Sequence, residues 1–191
     1  MEALAIMNIQ QRNIGDISEL PEEWPACIRR IMAARGIVKA DELTFDLAGL
    51  PKPSEMLGME AAVTLLIKAL QQQWRVMIVA DFDSDGATSC AVMMRGLRMM
   101  GLQHIDFIVP NRFVHGYGLT TELLNEIDSE TQPDLLITVD NGIASLDGVA
   151  LAKQRGMQVL ITDHHLAAEQ LPQADAIVNP NQPGDNFPRK M

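Results

Sequence analysis

Aromatic side chains are scarce, at 4% of the 191 residues, so any core must be filled by Met, Leu, Ile, Val and Ala. Trp24 and Trp74 read as packing residues rather than base-stacking platforms. There are two cysteines, Cys27 and Cys90. They supply neither a disulfide framework nor a zinc spacing, and they fit buried or idle thiols in a reducing compartment. No apolar run approaches the roughly 18 residues of a transmembrane helix, which excludes a spanning segment of that kind. Residues 1–17 lack the basic start and long apolar core of a signal peptide, so a cytoplasmic location and no membrane partner are expected. Basic charge is in deficit, with 15 Lys and Arg against 25 Asp and Glu and a net charge of −10. That argues against a broad phosphate-coating surface. It leaves room for a narrow, metal-centred phosphate site, because two bound divalent ions would reverse the local sign. There is no internal repeat and no low-complexity tract.

The hydrophobic content is 47%, ample for one sizeable core. Residues 1–55 read as a small helical N-terminal segment broken by prolines, and residues 56–191 as the main domain. A short helix is expected through Ile28, Ile31 and Met32, ending near Gly36, and Asp41 is placed to cap another. Pro51-Lys52-Pro53 marks a loop. Ala62, Leu65, Leu66 and Ala69 recur at helical spacing and predict a helix over 59–73. The chain then alternates. Strands are expected at 75–80, 105–109, 135–139, 158–162 and 176–178, with helices at 88–100, 120–128 and 145–155. This order predicts an α/β fold with a mostly parallel five-stranded sheet and helices on both faces.

After the first strand comes Asp81-Phe82-Asp83-Ser84-Asp85-Gly86. Three carboxylates in five residues repel one another unless a cation intervenes, and hard divalent ions take oxygen ligands. Further polar clusters follow the other strands: Asn111-Arg112 after the second, Asp140-Asn141-Gly142 after the third, Asp163-His164-His165 after the fourth. Strand ends of a parallel sheet share one edge, so the clusters converge on one crevice. A set rich in Asp with one or two His suits two ions clamping a phosphoryl group. Asp81 and Asp83 are expected to hold one ion, Asp85 and His164 the other, and Asp140 to bridge. His165 is placed to hydrogen-bond the phosphate or the departing oxygen.

Each piece also has a bland reading. A calcium-binding EF-hand loop would need Glu where Val92 stands, and a haloacid-dehalogenase phosphatase would need Thr or Val where Asp85 stands. Asp140-Asn141-Gly142 fits a plain turn, Asp163 an N-cap, and His164-His165 a surface pair. Ser89 lies in a run of small residues opening a helix, where backbone can approach an anion or merely cap. Arg112 fits either a bidentate phosphate contact or a surface arginine. Arg95 and Arg98 read as a solvated face. His104 and His115 lie outside the clusters.

Four ordered motifs carry a resemblance: residues 81–89, Val109-Pro110-Asn111-Arg112 with Gly116-Tyr117-Gly118-Leu119, Thr138-Val139-Asp140-Asn141-Gly142-Ile143, and Thr162-Asp163-His164-His165. Over essentially the whole chain, and most tightly over 75–188, the sequence resembles the N-terminal part of the RecJ-type single-strand-specific exonucleases of the DHH phosphoesterase superfamily. The resemblance implies 5′→3′ hydrolysis of single-stranded DNA to mononucleotides with Mn2+ or Mg2+, in recombination and repair. It implies Asp81, Asp83, Asp85, Asp140 and His164 as metal ligands, Asp163 and His165 close behind among the catalytic residues, and Asn111, Arg112 and Ser89 beside the substrate phosphate. Members of that family continue well past this point, with a further acidic ligand and a closing C-terminal domain. On that comparison three of four metal-binding motifs are present, and weak metal binding with little processive activity is expected of this chain alone. The C-terminal part is then itself an expected partner. Two other readings stay open: a phosphodiesterase for short oligonucleotides or cyclic dinucleotides, and a non-catalytic binding module.

Overall fold

A computed structural model describes residues 10–43 and 49–187. Residues up to Leu50 and residues 51–187 fall into separate compact units. In the first unit, helix α1 spans Ala26–Ala34 and ends through Arg35 and Gly36, the latter at φ 82°. Asp41 sits in a single 3-10 turn, Ala40–Leu43, rather than capping a full helix.

The second unit holds the sheet. Its elements are α2 (Met59–Gln72), β1 (Val76–Ala80), α3 (Ser84–Met99), β2 (Ile105–Ile108), α4 (Thr121–Asn125), β3 (Leu135–Val139), α5 (Leu146–Gln154), β4 (Gln158–Thr162) and β5 (Ala176–Val178). All pairings are parallel, in the order β2-β1-β3-β4-β5. The α/β architecture expected from the alternating pattern is therefore present, and β3, β4 and β5 have the expected bounds.

Burial follows the two-residue period of a strand. Ile78, Ala80, Leu135, Ile137, Val139 and Leu160 enter the core beneath α2 and α3. Val79, Leu136, Val159 and Ile161 enter the opposite core beneath α4 and α5. Both faces are covered, which is why the central strands read as continuous apolar runs. Each fully buried Ile or Leu here contributes about 1.5–3 kcal/mol of transfer free energy. α2 lays Ala62, Leu65 and Ala69 on the sheet. Gly148 of α5 lies so close to α4's lead-in that an added Cβ would meet the Leu119 carbonyl oxygen at 1.9 Å.

Two helices depart from the sequence expectation by more than one residue, and one expected cap is absent. α3 begins at Ser84, four residues early, because the Asp83 carboxylate caps it by accepting from the N–H groups of Asp85 and Gly86. Acidic residues and a glycine that resemble a loop are here a first helical turn, where negative charge is favoured. α4 stops at Asn125 instead of running to 128, with the Leu124 carbonyl taken by the Arg155 guanidinium at 2.6 Å. No helix follows Asp163 among the described residues, so it is not an N-cap.

Candidate metal centre at the switch point

From β1 the chain steps to β2 on one side and reaches β3 on the other, so the β1/β3 junction is the topological switch point. Open α/β sheets bind ligands in the crevice beyond the strand ends there. Register sets the contents of that crevice. Ala80 pairs with Val139, Val139 with Thr162, and Thr162 with Val178. The next residue on each of these strands is Asp81, Asp140, Asp163 and Asn179, one step past the last pair.

Among the described residues, two groups of ligand-type atoms gather within 4.8 Å: Asp81, Asp83 and Asp140, and Asp140, His164 and His165. Asp140 belongs to both. Its Oδ1 lies 3.0 Å from Nε2 of His164. Asp140 is one of two non-glycine residues at positive φ among those described, at 64°. Asp tolerates that conformation better than most side chains, and such outliers collect at functional sites. Its backbone is fixed on both sides: its N–H donates to the Thr162 carbonyl at 3.0 Å, and its own carbonyl accepts from the Tyr117 hydroxyl at 3.2 Å.

Neighbouring side chains complete the frame. Asn141, fully buried, donates through Nδ2 to the carbonyls of Val79 and Val139 at 3.0 and 2.9 Å, tying β1 to β3 at the end of their ladder. Asp163 is buried and saturated: Oδ1 accepts from the N–H groups of His164 and His165 and bonds Nδ1 of His165, while Oδ2 accepts from the N–H of Ile143. It therefore orients His165 instead of offering a free oxygen, and Nε2 of that ring faces the Tyr117 hydroxyl at 3.3 Å. Asn179 donates to the His165 carbonyl and Asn181 to that of His164, so the segment just past β5 clamps the histidine loop. Gly86 lets α3 approach: a Cβ there would lie 2.5 Å from the Asp81 carbonyl oxygen.

Electrostatics divide the carboxylates. The Gly86 and Asp85 N–H groups hold the Asp83 carboxyl below its ordinary value, so Asp83 stays charged. Burial, and then the charge of Asp83, push Asp140 up. The hydrogen bond to Asp163 raises His165. Burial and nearby carboxylates push the Tyr117 hydroxyl up, so it remains a donor. These oxygen and imidazole donors, gathered without an intervening Lys or Arg, suit hard divalent cations.

The remaining sequence candidates separate. Asp85 lies exposed in the first turn of α3 and joins neither group. Ser89 does reach the crevice, lining a recess of about 220 Å3 with Asp140, Thr162, Asp163 and His164. Asn111 spends its side chain locally, its Oδ1 accepting from the Phe113 N–H, and its own N–H donates to His115. His115 in turn bonds Glu126 at 2.7 Å and anchors the loop. Arg112 stacks its guanidinium 4.3 Å from the ring centre of Phe82, the residue after Asp81. Tyr117 and Asn141 stood in the sequence motifs without an assigned role, and Asn179 and Asn181 were not among the sequence candidates. A signal existed for Tyr117, which is bracketed by Gly116 and Gly118, both at positive φ.

The family model described as the DHH family, N-terminal domain, matches residues 75–186. The single-stranded-DNA-specific exonuclease RecJ of Escherichia coli is 41% identical over 184 residues, covering 96% of this chain and 32% of that protein. Its namesake from Haemophilus influenzae is 48% identical over 161 residues, covering 84% and 28%. A crystal structure of exonuclease RecJ bound to manganese has a TM-score of 0.63 at 34% identity, over 73% of this chain and 34% of that one. The chain thus spans about a third of the length of the relatives it matches.

Proposed function

Because this chain belongs to the DHH family, we propose that it is the catalytic N-terminal portion of a RecJ-type enzyme, hydrolysing phosphodiester bonds of single-stranded DNA from the 5′ end with two divalent ions, Mn2+ or Mg2+. The observation that carries the reading is the membership of Asp140 in both ligand groups at the switch point. Asp81, Asp83 and Asp140 would hold one ion, and Asp140, His164 and His165 the other. Asp85, in neither group, is left out of this ligand set. Such ions, when bound, polarise the phosphoryl oxygens and make water a nucleophile near neutral pH. The chain's own residues bind and orient. Asp163 fixes the His165 ring, Asn141 fixes the gap between β1 and β3, and Ser89 and Arg112 flank the phosphate. Asn111 acts through the loop that presents Arg112. A cytoplasmic location accords with this role, and among the described residues no helix is long and apolar enough to cross a membrane.

The test is incubation of this chain with 5′-labelled single-stranded DNA and Mn2+. Slow, manganese-dependent release of 5′-mononucleotides, lost in Asp140→Ala, is expected. Cleavage restricted to dinucleotides would move the reading to a short-oligonucleotide phosphodiesterase. No Mn2+ uptake at millimolar concentration would point to a binding module.

A further inference from the structure

Beside the carboxylates lies a second cavity that the metal reading does not use. It opens between α3 and the edge strand β2, with a volume of about 430 Å3, inside the roughly 300–1,000 Å3 range of small-molecule sites. Phe82, Ala91, Met94 and Phe107 supply walls that are almost wholly apolar, and buried Asp81 also lines it. Phe82 and Phe107 are 37% and 51% exposed, unusual for phenylalanine in a chain so poor in aromatics. Two cations flank the cavity: Arg95 lines it, and Arg112 lies against the Phe82 ring. Neither has an acidic partner among the described residues, although the protein carries a net charge of −10.

An apolar slot, flanked by two arginines without acidic partners among the described residues and sharing Asp81 with a phosphate-type centre, matches a ligand that is aromatic at one end and anionic at the other. We propose that the slot seats the nucleobase of a nucleotide whose phosphate lies at the Asp81–Asp140–His164 centre. Phosphate and base of one nucleotide are separated by a single sugar, and Asp81 borders both compartments. The walls offer almost no hydrogen-bonding groups to read base edges. Stacking would therefore hold purines and pyrimidines alike, since every base has a π-face. The phosphate half of the inference rests on the phosphodiesterase reading, while the base half rests on the slot alone.

Titration with the 5′-monophosphate of 2-aminopurine deoxynucleoside in Mn2+ tests this, because the base's fluorescence is quenched on stacking. Quenching is expected, with thymidine 5′-monophosphate competing about 10-fold or more better than deoxyribose 5-phosphate. Ala91→Phe, at an exposed wall position away from the ligand groups, fills the slot. It should abolish the quenching and reduce the two competitors to equal strength, with Mn2+ uptake unchanged. Equal competition in the unaltered chain, or quenching that survives in A91F, would overturn the slot even if Mn2+-dependent cleavage is intact. Quenching that persists in EDTA and disappears in A91F would instead sustain the slot while counting against the metal reading.

Discussion

The Tyr117 hydroxyl donates to the main-chain carbonyl of Asp140, joining the loop after β2 to the one residue shared by both ligand groups. The same hydroxyl lies 3.3 Å from Nε2 of His165, and the two rings meet edge to face. Tyr117 is half exposed, so it contributes little to the core, and its raised pKa keeps the proton on oxygen.

Tyr117→Phe should therefore leave the fold intact and weaken Mn2+ binding by about 10-fold, as expected for an outer-sphere partner of a metal ligand. Calorimetric titration with Mn2+, alongside circular dichroism, checks both halves. Unchanged affinity would remove the tyrosine from the frame of the centre.

Asp140→Asn should make the metal-free protein more stable near neutral pH while abolishing ion uptake. Burial and the Asp83 charge raise the Asp140 pKa in the fold. Its contribution is thus fully present below the ordinary carboxyl value and lost as pH rises through the raised one. At pH 7 the charged form opposes folding. Asn removes that opposition and suits a φ of 64°. A gain on the order of 1 kcal/mol is expected in EDTA at pH 7, shrinking towards zero near pH 3. Urea melts at the two pH values measure it.

His165 gives a second pH signature with the same sign. Its pKa is raised by the Asp163 carboxylate, so its stabilising bond is complete below about 6.5 and fades as pH climbs through the folded value. Thermal melts of the EDTA-treated protein should show a decline over that window. In His165→Asn the decline should flatten.

Gly86→Ala tests the approach of α3 to β1. The added Cβ would lie 2.5 Å from the Asp81 carbonyl oxygen, a backbone atom that cannot rotate away. A loss of about 1–3 kcal/mol is expected, with weakened Mn2+ uptake because the shift displaces Asp81 and Asp83 together. Ala at Gly96, where a Cβ meets nothing within 4 Å, serves as the control.

Much of this was legible in the sequence because parallel strands bury both faces and announce themselves as apolar runs. Once β1, β3 and β4 are located, Asp81, Asp140 and Asp163 must follow them at one edge. Three things were not legible. The Asp83 cap starts α3 early and turns Asp85 onto an exposed helical turn, and a run of acids with a glycine does not distinguish that from a loop. Asp163 reads as a catalytic residue beside His164, but its orienting role, set by four hydrogen-bond partners, appears only when Ile143 is folded against it. Tyr117 and Asn179 act through backbone groups distant in sequence: the glycines beside Tyr117 mark it without naming its partner, and nothing in the spacing marks Asn179.

Asn141 has a last consequence. At the last pairs of the β1–β3 ladder, one amide rivets the two strands by reaching a carbonyl on each. The opening between the two halves of the centre is therefore braced by one side chain on top of the last strand pair. A one-codon change at that position could respace or silence the chemistry at a cost of about 1–3 kcal/mol for the orphaned carbonyls, leaving the sheet beneath it untouched.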